Sequence, residues 1–470
     1  MLFNSIEFVI FLPLVLLLYW TVFNKTVQLR NAFLLVASYC FYGFWDYRFL
    51  FLIALTSTID FYCGLKIEKS SEKSTRKTFL FVSLFSNLGI LGFFKYYDFF
   101  IQELIDLFSQ FGISANFHTL RIILPVGISF YTFQTLSYTI DVYKRKIKPT
   151  KDIISFFTFV SFFPQLVAGP IERAGNLLPQ FKTLKKFDYK SSAEGFRRIL
   201  WGLFAKIVIA DSVAPIVDRI FGNIDSLNGI SLVLGAVLFT VQIYCDFSGY
   251  SNIAIGTARL MGFNLLENFK TPFFSLNIKE FWTRWHISLS TWFRDYVYIF
   301  LGGNRKGEFR HMINIIITFT VSGLWHGANW TFICWGTLHG LFYLLLLPLA
   351  KCNNKSYFTK LTSRIFTFAL VCFAFIFFRS ADISEAFSYV KGFFNSGNVS
   401  LFEIMNLKDI ALGLLFSGIF FAIEWCQRNQ SFGLDIENKP FEVRYISYIA
   451  ILFLILFTFQ GGNSFIYFQF

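Results

Sequence analysis

The stretch that decides the fold reads IIITFTVSGLWHGANWTFICWGTLHGLFYLLLLP and covers residues 315–348. It contains no Asp, Glu, Lys or Arg, and a helix needs about 20 mainly apolar residues to cross a bilayer. We therefore expect two crossings here, one beginning near Met312 and the next near Ala328. His326 lies between them, so the sequence predicts a titratable side chain inside a hydrophobic layer, where such a group usually handles protons or substrate.

The rest of the chain has the same apolar character. Of its 470 residues, 55% are hydrophobic and 15% are charged, whereas soluble domains carry about 25% charged residues. Several further segments approach the length of a membrane span, which predicts an all-α polytopic membrane protein. The first of them, Ile6 to Phe23, lacks the basic flank and the small-residue cleavage site of a signal peptide, so we expect it to be retained.

The net charge of +13 is unevenly distributed, and this unevenness predicts the topology. Placing the basic loops in the cytoplasm gives about twelve crossings with both termini outside. The basic runs are Lys66 to Lys77, Lys144 to Lys151, Lys182 to Arg198, Lys279 to Arg310 and Lys351 to Arg364. The predicted spans begin near Ile6, Asn31, Phe49, Thr78, Ile122, Ile199, Ile230, Met312, Ala328, Ile365, Leu407 and Tyr445.

One apolar segment does not fit this series of crossings. Ile153 to Ala168 has basic loops on both sides and contains Pro164, so we expect a re-entrant hairpin, plus interfacial helices elsewhere. No internal repeat or long linker divides the chain, which predicts a single membrane domain over residues 1–470. Two explanations of the basic loops are open. They serve only to orient the protein and to contact membrane lipids, or they also bind an anionic ligand. A nucleic-acid partner is not expected, because there is no soluble domain to read a groove.

A polar, Trp-rich stretch, residues 244–310, separates two apolar segments. Asp246 and Ser248 follow directly on an apolar helix, which indicates polar groups turned towards a cavity. If the middle of the stretch formed one helix, Arg284 and Ser288 would share a face. An amphipathic helix lying in the membrane interface is the structural alternative.

Short motifs in a fixed order carry a resemblance to a known family. They are LPVGISFYTFQ at 124–134, QLVAGPIER at 165–173, CDFSGYS at 245–251, FWTRWHIS at 281–288, WHG at 325–327 and FIYFQF at 465–470. On these residues the chain resembles the membrane-bound O-acyltransferase family, in particular the bacterial branch of alginate and peptidoglycan O-acetylation proteins. The motifs extend over nearly the whole chain, and their order makes the resemblance specific.

The resemblance implies a ring of tilted helices around a central tunnel, with His326 as the catalytic histidine and His286 as a second histidine on the cytoplasmic side. In the exporters that the chain resembles, an acyl group from a cytoplasmic thioester passes through the tunnel to an extracytoplasmic partner, which acylates a polysaccharide. The resemblance therefore implies a bacterial inner-membrane protein with acetyl-coenzyme A as its donor and no permanently bound cofactor. It also implies a secreted or membrane-anchored partner of the SGNH acetyltransferase type.

The residue types agree with acyl transfer from a thioester to a hydroxyl group. A thioester is already activated, so the reaction mainly needs a general base, for which a neutral imidazole is suited, and donors that stabilise an oxyanion. A covalent acyl-histidine at His326 is the other possibility. The candidate donors and tunnel-lining residues are Trp285, Arg284, Asp246, Ser248, Asn304, Ser322 and Trp325.

The donor's phosphates are expected to meet Arg284, Arg294 and Arg305 together with the basic loops, although a carrier protein with a phosphopantetheine arm would be attracted by the same charge. The aromatic tail, Phe465 to Phe470, docks the partner or packs on the last span. His339 is interpreted as structural. The histidines show no metal-ligand spacing, so no metal is expected.

Two other functions remain open on the sequence. The first is a lipid or protein acyltransferase of the same superfamily. The second is a secondary transporter, which would also bring Asp246 and His326 to a site near the membrane midplane. Transporters often consist of repeated halves with matching broken helices, and no such repeat is visible here.

Overall fold

The computed structural model describes residues 1–113, 118–167, 169–347, 356–394, 399–459, 461 and 465–466. Within these ranges the regular structure is helical apart from one isolated bridge between Leu227 and Val399, so the all-α prediction is confirmed. In chain order the α-helices are α1 Ile6–Leu18, α2 Val27–Asp46, α3 Leu50–Lys69, α4 Lys73–Gln110, α5 Ile128–Tyr143, α6 Ile153–Ser161, α7 Phe163–Leu166, α8 Ala174–Leu177, α9 Tyr189–Leu203, α10 Asp211–Phe221, α11 Gly229–Leu260, α12 Ile278–Arg284, α13 Ile287–Phe293, α14 Glu308–His326, α15 Trp330–Leu346, α16 Tyr357–Arg379, α17 Ile383–Gly392, α18 Leu401–Ile404, α19 Leu407–Cys426 and α20 Phe441–Thr458.

The helices include enough long apolar segments for a multi-pass membrane protein. Among the described residues, eight segments are long and apolar enough to cross a membrane, and α15 is a shorter apolar helix. Each predicted span overlaps a helix, although the span predicted from Ile122 reaches helical structure only at Ile128, where α5 begins. The helices α5 and α14 are not among the eight segments, so the count of twelve crossings stays a prediction. Which loops face the cytoplasm remains a prediction from the charge distribution. The eight segments are Ile6–Phe23, Val27–Lys69, Lys73–Gln110, Tyr189–Phe221, Gly229–Leu260, Tyr357–Arg379, Leu407–Cys426 and Phe441–Thr458.

The segment predicted to re-enter the membrane is broken. After α6, Phe162 leaves the helical conformation with ψ 108°, and α7 adds a single further turn. At 1.5 Å per residue, α6 is about 14 Å long, which is far less than the roughly 30 Å of the hydrocarbon layer. Ala168 lies outside the described residues, and re-entry into the bilayer remains a prediction.

The backbone groups into two compact units. The first unit comprises Met1 and residues 3–192 and 257–266, and the second comprises Leu2 and residues 193–256 and 267–470. Both histidines of the predicted site belong to the second unit. That residues 1–470 form one domain remains a prediction.

A buried carboxylate ties three helices of the first unit together. Asp60 on α3 accepts hydrogen bonds from Ser83 and Asn87 on α4 and from Thr139 on α5. Burying a charge is costly unless it is hydrogen-bonded. These neutral donors therefore fix how α3, α4 and α5 pack on one another.

The QLVAGPIER motif also has a structural role in the first unit. The buried carboxylate of Glu172 accepts a hydrogen bond from the backbone N–H of Leu266 at 2.6 Å and another from the amide of Asn176 at 2.8 Å. Glu172 lies in a loop outside the candidate spans, and burial raises its pKa to about 7. Glu172 thus ties residues 172–176 to the segment around Leu266.

In the second unit, a tight hairpin of α14 and α15 places His326. An added Cβ on Gly323 would collide with the carbonyl oxygen of Phe332, and one on Gly336 would collide with that of Phe319. Small residues at such a crossing let two helix backbones approach closely. Asn329 then caps α15 by accepting a hydrogen bond from the Thr331 N–H at 3.0 Å.

Candidate active site

His326 is the last residue of α14 and is surrounded by aromatic rings. Only 4% of it is exposed. Its ring centroid lies 4.9 Å from that of Trp325, 5.0 Å from that of Trp335 and 5.4 Å from that of Phe378. These contacts come from α14, α15 and α16, so three helices together fix the position of the imidazole.

His286 lies in a break between two short helices. α12 ends at Arg284, Trp285 is extended, and His286 itself has a positive φ of 40° before α13 begins at Ile287. The expectation that Arg284 and Ser288 share a helix face is therefore wrong. The backbone on either side of the break pairs with residues 268–270 instead of continuing the helix. The Lys270 N–H donates to the Arg284 carbonyl and the Ile287 N–H to the Asn268 carbonyl, each at 2.9 Å.

Asn268 fixes the orientation of the His286 ring. Its side-chain oxygen accepts hydrogen bonds from the Ser288 hydroxyl at 2.8 Å and the Ser288 N–H at 3.3 Å, and it lies 3.1 Å from His286 Nδ1. An oxygen that already accepts from Ser288 calls for a proton on Nδ1, which leaves the lone pair of the neutral ring on Nε2. His286 lies outside the candidate spans, and burial lowers its pKa to about 3, so the neutral form prevails near pH 7.

The two predicted histidines come together in the folded chain. Their ring centroids are 6.5 Å apart, although 40 positions separate them in sequence. Trp325 lies beside both rings, at 6.2 Å from His286 and 4.9 Å from His326. The centre of the site is thus a buried pair of imidazoles inside an aromatic wall.

A cavity of about 560 Å³ lies on the His286 side of the second unit, and we call it the basic cavity. Three cations line it, Lys270, Arg284 and Arg428, together with the carboxylates Glu267 and Glu424. The other lining residues are Trp201, Tyr244, Ser248, Asn252, Phe269, Thr271, Thr283, Gln427, Asn429, Gln430, Ser431, Phe432 and Gly433.

The carboxylates of the basic cavity are both engaged. Arg198 donates to Glu267 through two hydrogen bonds of 2.7 and 3.1 Å. The hydroxyl of Tyr244 donates to Glu424 at 2.7 Å. Among the described lining residues three cations stand against two carboxylates, and Arg198 neutralises one of these carboxylates, so such a cavity suits an anionic ligand.

Aromatic rings connect the floor of the basic cavity to His286. Phe269 lines the cavity, and its ring centroid lies 6.4 Å from that of His286 and 5.1 Å from that of Trp285. Phe247 covers another side of the imidazole at 4.7 Å. One aromatic layer thus separates the basic cavity from the histidine pair.

A second cavity of about 500 Å³ lies on the other side of α12, and we call it the apolar cavity. Thr283 on α12 lines both cavities. Ser322, one helical turn before His326, lines the apolar cavity only. Its remaining lining residues are Lys279, Trp282, Ile287, Ser290, Thr291, Phe293, Arg294, Tyr298, His311, Ile315, Thr318, Phe319 and Tyr343.

Asp246 lies in an ion-pair network rather than at the histidine pair. Lys206 bridges Asp246 at 2.9 Å and Asp211 at 2.8 Å. The other carboxylate oxygen of Asp246 accepts the Ile466 N–H at 2.7 Å, and Phe465 packs on Tyr250 at 4.4 Å between ring centroids. The start of the aromatic tail is therefore packed inside the second unit, and residues 467–470 lie outside the described residues.

The other predicted residues differ in how close they come to the histidines. Ser248 and Arg284 line the basic cavity, and Trp285 contacts Phe269 below it. Asn304, in contrast, is exposed in the loop before α14 and is not brought to either cavity. Of the remaining histidines, His339 is buried on α15 and His311 contacts Tyr298 at 2.7 Å.

Several residues of the site were not predicted. Glu424 and Lys206 each carry a charge within an otherwise apolar helix, and that signal was present in the sequence. Asn268 and Phe378 carry no such signal, because an amide in a loop and a phenyl ring in an apolar run are common. Among the described residues, no group of three or more His, Cys, Asp or Glu side chains is arranged to hold a metal ion.

Comparison with known proteins places this site in a family. Residues 143–383, which include both histidines, match the sequence model of the membrane-bound O-acyltransferase family. The chain is 40% identical over 410 residues to the probable alginate O-acetylase AlgI of Azotobacter vinelandii, covering 86% of this chain and 80% of the relative. It is 33% identical over 520 residues to the peptidoglycan O-acetyltransferase of Helicobacter pylori, covering 100% and 98%.

A more distant relative is the teichoic acid D-alanyltransferase of Bacillus subtilis, 30% identical over 277 residues, which cover 54% of this chain and 68% of the relative. These relatives are named for the transfer of acyl groups, which favours acyl transfer over the transporter alternative. The match of the family model over half of the chain, together with the long alignments, shows that the chain belongs to the membrane-bound O-acyltransferase family.

Proposed function

We propose that this membrane O-acyltransferase moves an acetyl group from a cytoplasmic thioester to a hydroxyl group on the opposite side of a bacterial inner membrane. The observation that carries the proposal is the buried pair of His286 and His326, 6.5 Å apart, beside a basic cavity. A transporter would not need an imidazole pair of this kind, whereas acyl transfer needs a base and a place for an anionic donor.

In this proposal His326 acts as the general base that takes the proton of the acceptor hydroxyl group. The acceptor hydroxyl oxygen forms a bond to the thioester carbon, the C–S bond breaks, and the hydroxyl proton passes through His326 to the leaving thiolate. A positioned general base contributes typically 10²–10⁴-fold to such a step. A covalent acyl-histidine remains the alternative role for the same ring.

The proposed donor is acetyl-coenzyme A, bound in the basic cavity. Lys270, Arg284 and Arg428 supply the positive charge that diphosphate and phosphate groups require. The Arg284 guanidinium is held in place by Glu280 at 2.7 Å. A carrier protein bearing a phosphopantetheine arm is the second candidate donor, because it presents the same phosphate and thioester.

The proposed acceptor is a hydroxyl group of an extracellular polysaccharide or peptidoglycan, reached through a tunnel and an SGNH-type partner protein. The relatives are named for alginate, peptidoglycan and teichoic acid, so their names agree on envelope polymers but not on one polymer.

The test is acyl transfer by the purified full-length chain in lipid nanodiscs. Acetyl-coenzyme A, longer acyl-coenzyme A species and an acyl carrier protein are supplied in turn, and free thiol release is measured. Thiol release from acetyl-coenzyme A that disappears in His326→Ala supports the proposal. Release from the carrier protein alone would transfer the donor assignment to the carrier, and no release from any thioester would contradict the proposed function.

A further inference from the structure

Three clustered polar side chains, one of which contacts His326, have buried nitrogen atoms without a hydrogen-bond partner among the residues that the structure describes. They are Trp282 and Trp335, through their indole N–H groups, and His339, through both ring nitrogens. Their exposed fractions are 9%, 1% and 0%. Leaving a buried polar group unpaired costs free energy, and buried polar groups without a protein partner are commonly satisfied by bound water or by a ligand.

The three side chains form one cluster. The His339 ring centroid lies 4.9 Å from that of Trp335 and 5.0 Å from that of Trp282, and the two indoles are 5.9 Å apart. Trp335 in turn lies 5.0 Å from His326. Trp335 therefore connects this cluster of unpaired groups to the proposed base.

The cluster also borders a space that a small group can enter. Trp282 lines the apolar cavity, as does Ser322, one turn before His326 on α14. None of the described residues that line this cavity is a carboxylate, whereas two of those that line the basic cavity are. A neutral or electron-rich group is thus favoured there.

The numbers of hydrogen-bond donors and acceptors on the three side chains indicate what the cluster binds. An indole N–H only donates, and a neutral imidazole has one donor and one acceptor. The cluster therefore offers three donors and one acceptor, so donors predominate and an accepting oxygen atom, which can use two of them, is favoured. A cation would find only the single imidazole acceptor.

We propose that Trp282, Trp335 and His339 bind a hydrogen-bond-accepting oxygen atom beside His326, either the carbonyl oxygen of the acyl thioester or a fixed water molecule. This inference rests on the proposed function and adds residues to it. When the hydroxyl oxygen attacks the thioester carbon, the carbonyl oxygen takes the negative charge until the C–S bond breaks. Indole and imidazole N–H groups fixed in advance would stabilise that charge.

The test compares substitutions that remove a donor with substitutions that keep one. Trp335→Phe and His339→Phe keep an aromatic ring but remove the N–H groups, and His339→Gln keeps a donor and an acceptor. We expect kcat to fall about 100-fold in the two Phe variants, with the KM for the donor little changed, and to be largely retained in His339→Gln. Trp330→Phe, at the half-exposed start of the same helix, is the matched control.

Two non-reactive analogues of the acyl donor distinguish a bound acyl carbonyl oxygen from a bound water molecule. One is a ketone that keeps the carbonyl group, and the other is an alkyl thioether that lacks it. If the acyl oxygen is bound, wild-type protein prefers the ketone about tenfold, and Trp335→Phe loses this preference. If a water is bound, the preference is absent in both proteins while kcat still falls in the variant.

Wild-type kcat in folded Trp335→Phe and His339→Phe, or equal damage in His339→Gln and His339→Phe, would overturn the inference. Folding is checked by the thermal midpoint and by monodisperse elution. The outcome is distinguishable from failure of the proposed function, because that failure would leave the wild-type protein itself without thiol release from any thioester.

Discussion

His286 and His326 are neighbours in the second unit, but they are held in different ways. His286 is fixed by a hydrogen bond and by its own backbone, with Asn268 at 3.1 Å and a positive φ of 40°. His326 is fixed by packing, with the rings of Trp325, Trp335 and Phe378 around it. The Asn268 oxygen sets the tautomer of His286, because it holds the proton on Nδ1. The comparison supports a positioning role for His286, and His326 keeps the role of general base in the proposed function.

The largest loss of acyl transfer is expected from substituting His326, the histidine that the aromatic rings enclose. His326→Ala should lower polymer acetylation or thiol release by a factor on the order of 10²–10⁴, because the base is removed. The measurement is acyl transfer at matched membrane abundance. His118→Ala, at an exposed loop position, is the control and should match the wild type. Full activity in well-expressed His326→Ala would reject this histidine as the base.

The next effect tests how His286 is held. Asn268→Leu removes the oxygen that His286 and Ser288 share, and each buried polar group left unpaired costs about 1–3 kcal/mol. We expect a lower thermal midpoint and at least a tenfold loss of transfer, measured in the same nanodisc preparation.

Asn304→Leu provides the matched control for Asn268→Leu, because Asn304 is the exposed amide that the sequence analysis also proposed. Its midpoint and transfer rate should stay at wild-type values. If acyl transfer were lost in Asn304→Leu and retained in Asn268→Leu, Asn304 and not Asn268 would support the site. The contrast drawn between the two histidines would then be wrong.

A smaller effect concerns the cavity on the His286 side. Arg284→Ala removes one cation from the basic cavity and should raise the KM for acetyl-coenzyme A about tenfold, with a smaller change in kcat. Arg305→Ala removes an exposed arginine outside this cavity and should leave the KM unchanged. Equal KM values in Arg284→Ala and the wild type would show that acetyl-coenzyme A does not bind in this cavity.

The smallest effect is a change in pH dependence. Burial lowers the pKa of His286 to about 3 in the folded chain, from an ordinary value of 6.5. The unfolded chain therefore binds a proton that the folded chain does not, so stability is lost as pH falls below 6.5. His286→Gln should lose less thermal stability than the wild type between pH 6.5 and pH 4. Parallel curves for the two proteins would show that this histidine is not buried in its neutral form.

The sequence predicted the apolar membrane helices because their formation depends on hydropathy, which can be read from a local stretch of residues. Long apolar runs without charges predict membrane-spanning helices whatever their neighbours are, and the break after α6 lies beside Pro164, where the sequence predicted it. Crossing by α14 and α15 in particular stays a prediction, because α14 is not among the eight candidate segments and α15 is a shorter apolar helix. The helix break at Trp285–His286 was not predicted. It depends on backbone hydrogen bonds to Asn268 and Lys270, which are distant in sequence, and local pattern alone favours a continuous helix there.

What the sequence by itself determined is the membrane-embedded helical architecture and His326 as its unusual residue, since hydropathy and a lone imidazole in an apolar run are local properties. Only the tertiary structure decided that His286 comes within 6.5 Å of it, that Asp246 pairs with Lys206, and that Asn304 stays exposed. These outcomes depend on which helices pack together and which buried polar groups find partners. Both are settled by long-range contacts that no short stretch of residues encodes.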